Sequence, residues 1–157
     1  MRIAYKDEAY IIRKKYITAF IDTETKYYNQ NINKLNQYSD GLCYDGYLWD
    51  CFFRFDIKDE FYCKQYISKK QKLYILWDIH SCDKIWIKDY WKYPKDAVLQ
   101  MDYSEYLKLN NTLPEDIYVF DESFLWSIVF THETGTDGKK WCIFAYNKEL
   151  ALNTDNN

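Results

Sequence analysis

Residues 117–133 read Ile-Tyr-Val-Phe-Asp-Glu-Ser-Phe-Leu-Trp-Ser-Ile-Val-Phe-Thr-His-Glu. The run is rich in β-branched and aromatic residues, which suit a pleated and covered surface. Side chains alternate along a strand, so Phe124, Trp126, Ile128, Phe130 and His132 share one face, and Leu125, Ser127, Val129, Thr131 and Glu133 share the other. Both faces are mostly apolar, which predicts a central strand covered on both sides. Downstream, Thr134-Gly135-Thr136-Asp137-Gly138 is a turn-rich loop and Lys140–Tyr146 is a returning strand, together a hairpin. Upstream, the loop Leu113-Pro114-Glu115 leads into a strand at Asp116–Phe120.

Toward the N-terminus the same reasoning predicts strands at Lys84–Tyr90, ended by Tyr93-Pro94, and at Lys72–Ile79. It predicts a short helix over Asp59–Ser68 capped by Asp59, and a helical turn over Ser104–Leu109. Asp45-Gly46 reads as a tight-turn dipeptide, and residues 47–55 fit either a strand or the start of a helix. Ala9, Ile12, Tyr16 and Phe20 recur at helical spacing, with Arg13, Lys14 and Lys15 falling away from that stripe. A second helix, capped by Asp22 or Thr23 and carrying Tyr28, Ile32 and Leu35, is expected to stop at Ser39-Asp40-Gly41. The order predicts an α+β fold: an N-terminal helical hairpin packed on a mostly antiparallel sheet. One domain spans residues 1–157, with a helical part over 1–41, a sheet with short helices over 42–149, and a frayed tail over 150–157.

With 157 residues, 48% apolar and 29% charged, the chain can bury a core of its own without a disulfide or metal. The start, Met-Arg-Ile-Ala-Tyr-Lys-Asp-Glu, runs straight into charge, unlike a signal peptide. No apolar run approaches the roughly 18 residues of a membrane helix. A cytoplasmic protein without a membrane partner is therefore expected. A net charge of −3 argues against binding to duplex nucleic acid, where affinity comes from a basic field over phosphates.

The five cysteines show no metal-knuckle spacing and read as reduced, half-buried small hydrophobes. His80-Ser81-Cys82 has no second Cys/His pair at zinc spacing, and four glycines leave little for a phosphate-cradling loop, so neither metal nor cofactor is expected. Lys outnumbers Arg 18 to 3, and Asn, Ile and Tyr abound, the pattern of an AT-rich genome. The 20% aromatic content follows from that pattern more than from function, although Tyr still offers rigid amphipathic area to an interface.

His132 is one of two histidines. An acid–base enzyme needs a carboxylate within hydrogen-bond reach of such a ring, and Glu133 and Asp121, with His80, complete the candidate set. If the strand stays regular to residue 133, His132 and Glu133 point in opposite directions; they converge only if it ends near Thr131.

The block Asp116–Asp121, followed by Phe124-x-Trp126-Ser127 and Thr131-His132-Glu133, resembles a small uncharacterised bacterial family with a Phe-x-Trp-Thr…Thr-His-Glu strand signature. Gly46-Tyr47-Leu48-Trp49 and Leu73-Tyr74-Ile75-Leu76 resemble its earlier blocks, and Ser127 stands where that family has Thr. By analogy with small acidic single-domain bacterial proteins, the resemblance implies an immunity-protein or anti-defence role. The expected function is an intracellular binding protein that masks the active or binding surface of a protein partner with a basic face. Its expected contact residues are Tyr44, Asp45, Tyr47, Asp56, Asp59 and Glu60, an aromatic centre ringed by carboxylates. The alternative is a small hydrolase or nucleotide-processing enzyme centred on His132.

Overall fold

A computed structural model of the chain describes residues 1–150; the expected tail falls, beyond Leu150, outside them. Among the described residues one seven-stranded sheet organises the molecule. Its strands are β1 (Arg2–Ala4), β4 (Phe55–Asp59), β5 (Leu73–Leu76), β6 (Val98–Met101), β7 (Ile117–Phe120), β8 (Trp126–Thr134) and β9 (Lys140–Tyr146), ordered β1-β6-β5-β7-β8-β9-β4. Every neighbouring pair is antiparallel. A separate hairpin joins β2 (Asn36–Tyr38) to β3 (Gly41–Cys43). The helices are α1 (Asp7–Phe20), α2 (Lys26–Asn31), α3 (Glu60–Ser68) and α4 (Tyr103–Leu109).

The α+β class and the antiparallel sheet are as the periodicity implies; the N-terminal helical hairpin is not. The first helix forms, with Ala9, Ile12, Tyr16, Ala19 and Phe20 buried. The second is six residues long, starts later than expected under a Thr25 cap that accepts from the Tyr28 amide, and ends at Asn31. Gly41, at φ 111°, opens strand β3 instead of ending a helix. Leu35, expected on the helix's apolar stripe, is half exposed in the link to β2. Asp59 caps α3 as expected, accepting from the Tyr62 amide at 2.8 Å. Asp102 and Glu105 form a reciprocal capping box on α4.

Alternation along the inner strands feeds two cores, so both faces of the sheet are covered. Leu73, Ile75, Ile117, Val119, Trp126, Ile128, Phe130, Cys142 and Phe144 pack against Cys63 and Ile67 of α3 and Tyr106 of α4. Leu76, Tyr118, Phe120, Val129, Ile143 and Ala145 pack against α1 and the segment around Tyr44–Phe52. Residues 84–90 form turns, not the expected strand; Lys84 and Ile85 donate to the Ser81 carbonyl, and Trp86 is 74% exposed. The Ile-Trp-Ile alternation there meets no neighbouring strand among the described residues.

A buried carboxylate ties these pieces together. Asp78 Oδ1 accepts from the Tyr44 hydroxyl at 2.8 Å and the Leu48 amide at 3.1 Å. Its Oδ2 accepts from the Tyr118 hydroxyl at 2.6 Å, and the Tyr118 hydroxyl oxygen accepts in turn from the Trp49 amide at 3.2 Å. Arg13, expected on the solvent side of α1, turns inward and donates to the carbonyls of Trp77, Lys95, Asp96 and Ala97. It thereby ties α1 to the exit of β5 and the entry of β6.

Tyr118→Phe deletes the hydroxyl that joins Trp49 to Asp78 and leaves a buried amide and a carboxylate oxygen without that partner. The expected loss is about 1–3 kcal/mol, read as a lower urea midpoint at unchanged slope. A variant as stable as the parent would show that the bridge is not needed.

Candidate functional site

Past the end of β5 the chain runs on through Trp77, Asp78, Ile79 and His80. Tyr44 N donates to the Ile79 carbonyl at 3.1 Å, and the amides of Asp45 and Gly46 donate to the Asn31 carbonyl at 3.0 and 3.1 Å. Gly46 has to be glycine on space alone. A Cβ there would lie 2.8 Å from Asn31 Cβ and 2.9 Å from Ile32 Cδ1. This close passage sets the Gly46 carbonyl against the buried His80 ring, 2.6 Å from Nε2. A carbonyl only accepts, so His80 carries its proton on Nε2. The rings of Tyr44 and Tyr47 meet the His80 ring edge-on, with centroids 5.5 and 4.8 Å away.

The second histidine arrives from the far end of β8. The β8–β9 register breaks between Phe130 and Thr134. Up to Phe130 the alternation is regular, with Ile128 and Phe130 in the core under α3 and α4 and Val129 in the core under α1. After the break, the His132 ring lies 6.1 Å from Tyr47 and 6.3 Å from Trp49, on the Val129 side. The irregularity carries the imidazole across the sheet, to the side opposite the one that strict alternation assigns it.

Asp116, the residue before β7, fixes that imidazole. Its Oδ1 accepts from the His132 backbone amide at 2.8 Å, and Nδ1 lies 2.8 and 2.9 Å from the two carboxylate oxygens. Nδ1–H therefore donates to Asp116, and Nε2 is left as the base of the neutral ring. The His132 side chain is 42% exposed and Asp116 18%.

Both histidines line one cleft of about 210 Å³, together with Asp78, Glu115, Asp116, Tyr47, Trp77, Trp86, Ile85, Ile87 and Pro114. Among the described residues the lining holds three carboxylates and no Lys or Arg. Burial raises the Asp78 carboxyl above its ordinary pKa, against the pull of His80 and of its three hydrogen-bond donors. Burial also raises the Tyr47 phenol, with Asp116 and Asp78 adding to the effect.

Beside the cleft, Lys95 braces the His80 segment by donating to the His80 carbonyl at 2.8 Å. The same ammonium pairs with Asp40, which also accepts from the Ser81 hydroxyl at 2.7 Å and the Cys82 amide at 2.9 Å. The Lys95 ammonium, then Ser81 and Cys82, hold the Asp40 carboxyl well below the usual carboxylate range.

The expected acid–base residues thus separate. His132 and His80 share the cleft. Asp121 sits at the opposite end of β7 from Asp116 and builds the turn into β8, accepting from the Ser123 amide at 3.0 Å and Trp126 Nε1 at 2.7 Å. Glu133 is exposed, its amide bonded to Thr131 Oγ1 at 3.2 Å. The carboxylate that meets His132 is Asp116, which the sequence shows only as part of an acidic pair.

The six expected contact residues also divide. Tyr44 is buried with its hydroxyl on Asp78, Asp45 accepts from Asn36 and Tyr38, and Tyr47 faces the cleft. Asp56 and Asp59 lie on the edge strand β4, and Glu60 opens α3.

All five cysteines are free thiols. Among the described residues, no group of three or more His, Cys, Asp or Glu side chains is arranged to hold a metal ion, and no helix is long and apolar enough to cross a membrane. Comparison with protein-family models, curated proteins and solved structures finds no match to this chain.

Two measurements check this geometry. Long-range proton–nitrogen NMR is expected to show Nδ1 of His132 protonated in the parent and to show that preference lost in Asp116→Ala. Asp40→Asn should lower stability by roughly 1–3 kcal/mol, the scale of hydrogen bonds to a charged group. A carboxyl with a depressed folded-state pKa stabilises above its unfolded pKa and loses that contribution as pH falls through the folded value. The gap in unfolding energy between the parent and Asp40→Asn should hold steady at neutral pH and narrow below about pH 4.

Proposed function

We propose that the cleft binds a small neutral or cationic molecule and that His132 acts on it as a general base oriented by Asp116, which makes the protein a small-molecule-processing enzyme. The observation behind this reading is the Asp116–His132 pair opening onto a cleft that also gathers the other histidine and an aromatic wall. Asp116 keeps the proton on Nδ1, so Nε2 can take one from water or from the ligand. The imidazolium so formed stays beside a carboxylate that stabilises it.

Two features narrow the chemistry. Among the described residues the lining contains no Ser, Thr, Cys or Lys, so attack by water activated on His132 fits better than a covalent intermediate on a side chain. Three carboxylates without a cationic side chain oppose a phosphate or carboxylate ligand, which moves the reading away from nucleotides. The volume is below the roughly 300–1,000 Å³ typical of sites for drug-sized ligands, so the ligand is smaller. Trp86, Trp77 and Tyr47 offer faces for a flat ring or an amine.

Masking of a basic partner is the weaker proposal. Its support is the set Asp56, Asp59 and Glu60 next to exposed Phe55, Ile57 and Phe61, while Tyr44 is buried away from any partner.

Saturation-transfer NMR against a panel of neutral, cationic and anionic heteroaromatic compounds tests the cleft reading. Neutral or cationic rings should bind, Trp86→Ala should weaken them by about five-fold or more, and anions should fail. For any hit that is turned over, His132→Ala should lower kcat by about 100-fold or more while leaving the melting temperature close to that of the parent. Binding confined to anions, or turnover untouched in His132→Ala, would sink the reading.

A further inference from the structure

Among the described residues strand β4 is the outermost strand beyond β9, and its far side meets no neighbour in the sheet. Phe55 and Ile57 are 47% and 52% exposed, and Phe53, Phe61 and Tyr62 nearby are also exposed. The strand has no proline and a regular register with β9 from Phe55 to Asp59. Such an edge is a ready template for another strand.

We propose that β4 pairs antiparallel with β4 of a second copy of this chain, about a two-fold axis that passes beside Ile57. The inference is independent of the cleft. The Tyr146 amide donates to the Arg54 carbonyl at 3.0 Å, so Arg54 and Tyr146 are a hydrogen-bonded pair next to the β4–β9 ladder. Along an antiparallel ladder such pairs alternate. Asp56 and Lys58 therefore turn their amides and carbonyls to β9, and Phe55, Ile57 and Asp59 turn theirs to the open edge. With Ile57 opposite Ile57 of the second copy, those outward groups meet their own equivalents.

Side-chain charge then selects this register. Centred on Ile57, each Asp56 stands opposite a Lys58 of the other copy, in the non-hydrogen-bonded position where side chains approach most closely. The contact is made twice by symmetry. A slip of two residues one way sets Asp56 against Asp56; the other way it sets Lys58 against Lys58. Like charges directly opposite are destabilising, so both alternatives are disfavoured. The Asp56 and Lys58 side chains are 52% and 35% exposed and reach solvent on this edge. Within one copy Asp56 Oδ2 accepts from the Tyr146 hydroxyl at 2.8 Å and lies 3.7 Å from the Lys58 ammonium, an exposed and loose pair that the second copy's Lys58 and Asp56 would exchange for two contacts across the axis, one using Asp56 Oδ1.

The apolar surface matches the same axis. Phe55 and Ile57 lie opposite Ala145 and Ile143 of β9 and so on the α1 side of the sheet. Pairing about Ile57 sets the two isoleucines side by side and each Phe55 diagonal to the other copy's Ile57, covering four exposed apolar side chains. Asp56 and Lys58 fall on one face and the apolar cluster on the other; Asp59, which shares the apolar face and stands opposite Phe55 of the second copy, is engaged as the cap of α3. A segment rich in Lys and Arg would satisfy Asp56 but would set its own charge against Lys58, so self-pairing is the better complement.

Sedimentation equilibrium over a wide concentration range tests the proposal. The parent should dimerise reversibly. Asp56→Lys alone and Lys58→Asp alone should each weaken the dimer by roughly ten-fold or more, because both symmetric contacts become like-charged. The double variant Asp56→Lys with Lys58→Asp should restore it, which also guards against misreading a folding defect as lost affinity. Circular dichroism and melting curves on all three variants check that the domain is intact. A parent that stays monomeric at every concentration overturns the proposal. So does a dimer indifferent to the single reversals, a double variant that fails to recover while folded, or a parent that pairs β4 with an extended Lys/Arg-rich peptide in preference to itself.

Discussion

The carboxylate of Asp78 is the constraint on which the rest of the structure depends. It lies just past β5, inside the protein, and three donors from separate parts of the chain converge on it: Tyr44, Leu48 and Tyr118. An ionised carboxylate without such donors would be far too costly to bury. Burial lifts its pKa, and the donors and His80 oppose that desolvation. Releasing any one of these contacts disturbs the others. The loop that follows β3, the turn at Leu48–Cys51 and strand β7 are thereby held in one arrangement, and that arrangement shapes one wall of the cleft.

Arg13 plays the complementary part. Four backbone carbonyls surround its guanidinium, and these are the groups that an irregular chain between β5 and β6 would otherwise leave unmet. Desolvation pulls its pKa down from the ordinary value, while Tyr44 and Asp78 pull it back. Arg13 and Asp78 therefore sit within each other's field beneath α1, where the low dielectric strengthens both attraction and penalty. Tyr16 works in the same manner at lower stakes: fully buried, it matches its hydroxyl to Ser127 at 2.7 Å. An aromatic-rich composition need not mean an aromatic-rich surface when the tyrosines can satisfy their hydroxyls internally.

The parts of the fold legible from sequence are those governed by local periodicity. The stripe on α1, the Asp59 cap and the hairpin of β8 with β9 needed only neighbours along the chain. Strands β1 and β6 escaped notice because Arg2–Ala4 and Val98–Met101 are too short to show a period, and only their pairing makes them strands. Residues 84–90 failed in the opposite direction: a strand-like pattern lies where no partner strand is available. Arg13 was misplaced because helical spacing sorts side chains by polarity and cannot see four carbonyls gathered from residues 77 and 95–97. At the site, His132 and His80 were visible as the only imidazoles. Asp116 was not, since its role follows from the antiparallel pairing of β7 with β8, which brings residues sixteen apart into contact.

The break in register near the end of β8 has an evolutionary consequence. The placement of the His132 imidazole depends on how many residues separate Phe130 from Thr134 as much as on which residues they are. A change of length between Phe130 and His132 would alter which side of the sheet the imidazole faces, with every side chain of the cleft still encoded. A lineage using this site would therefore tolerate exchanges among its aromatic neighbours more readily than an insertion or deletion here, and drift in length would be confined to the loop beyond Thr134.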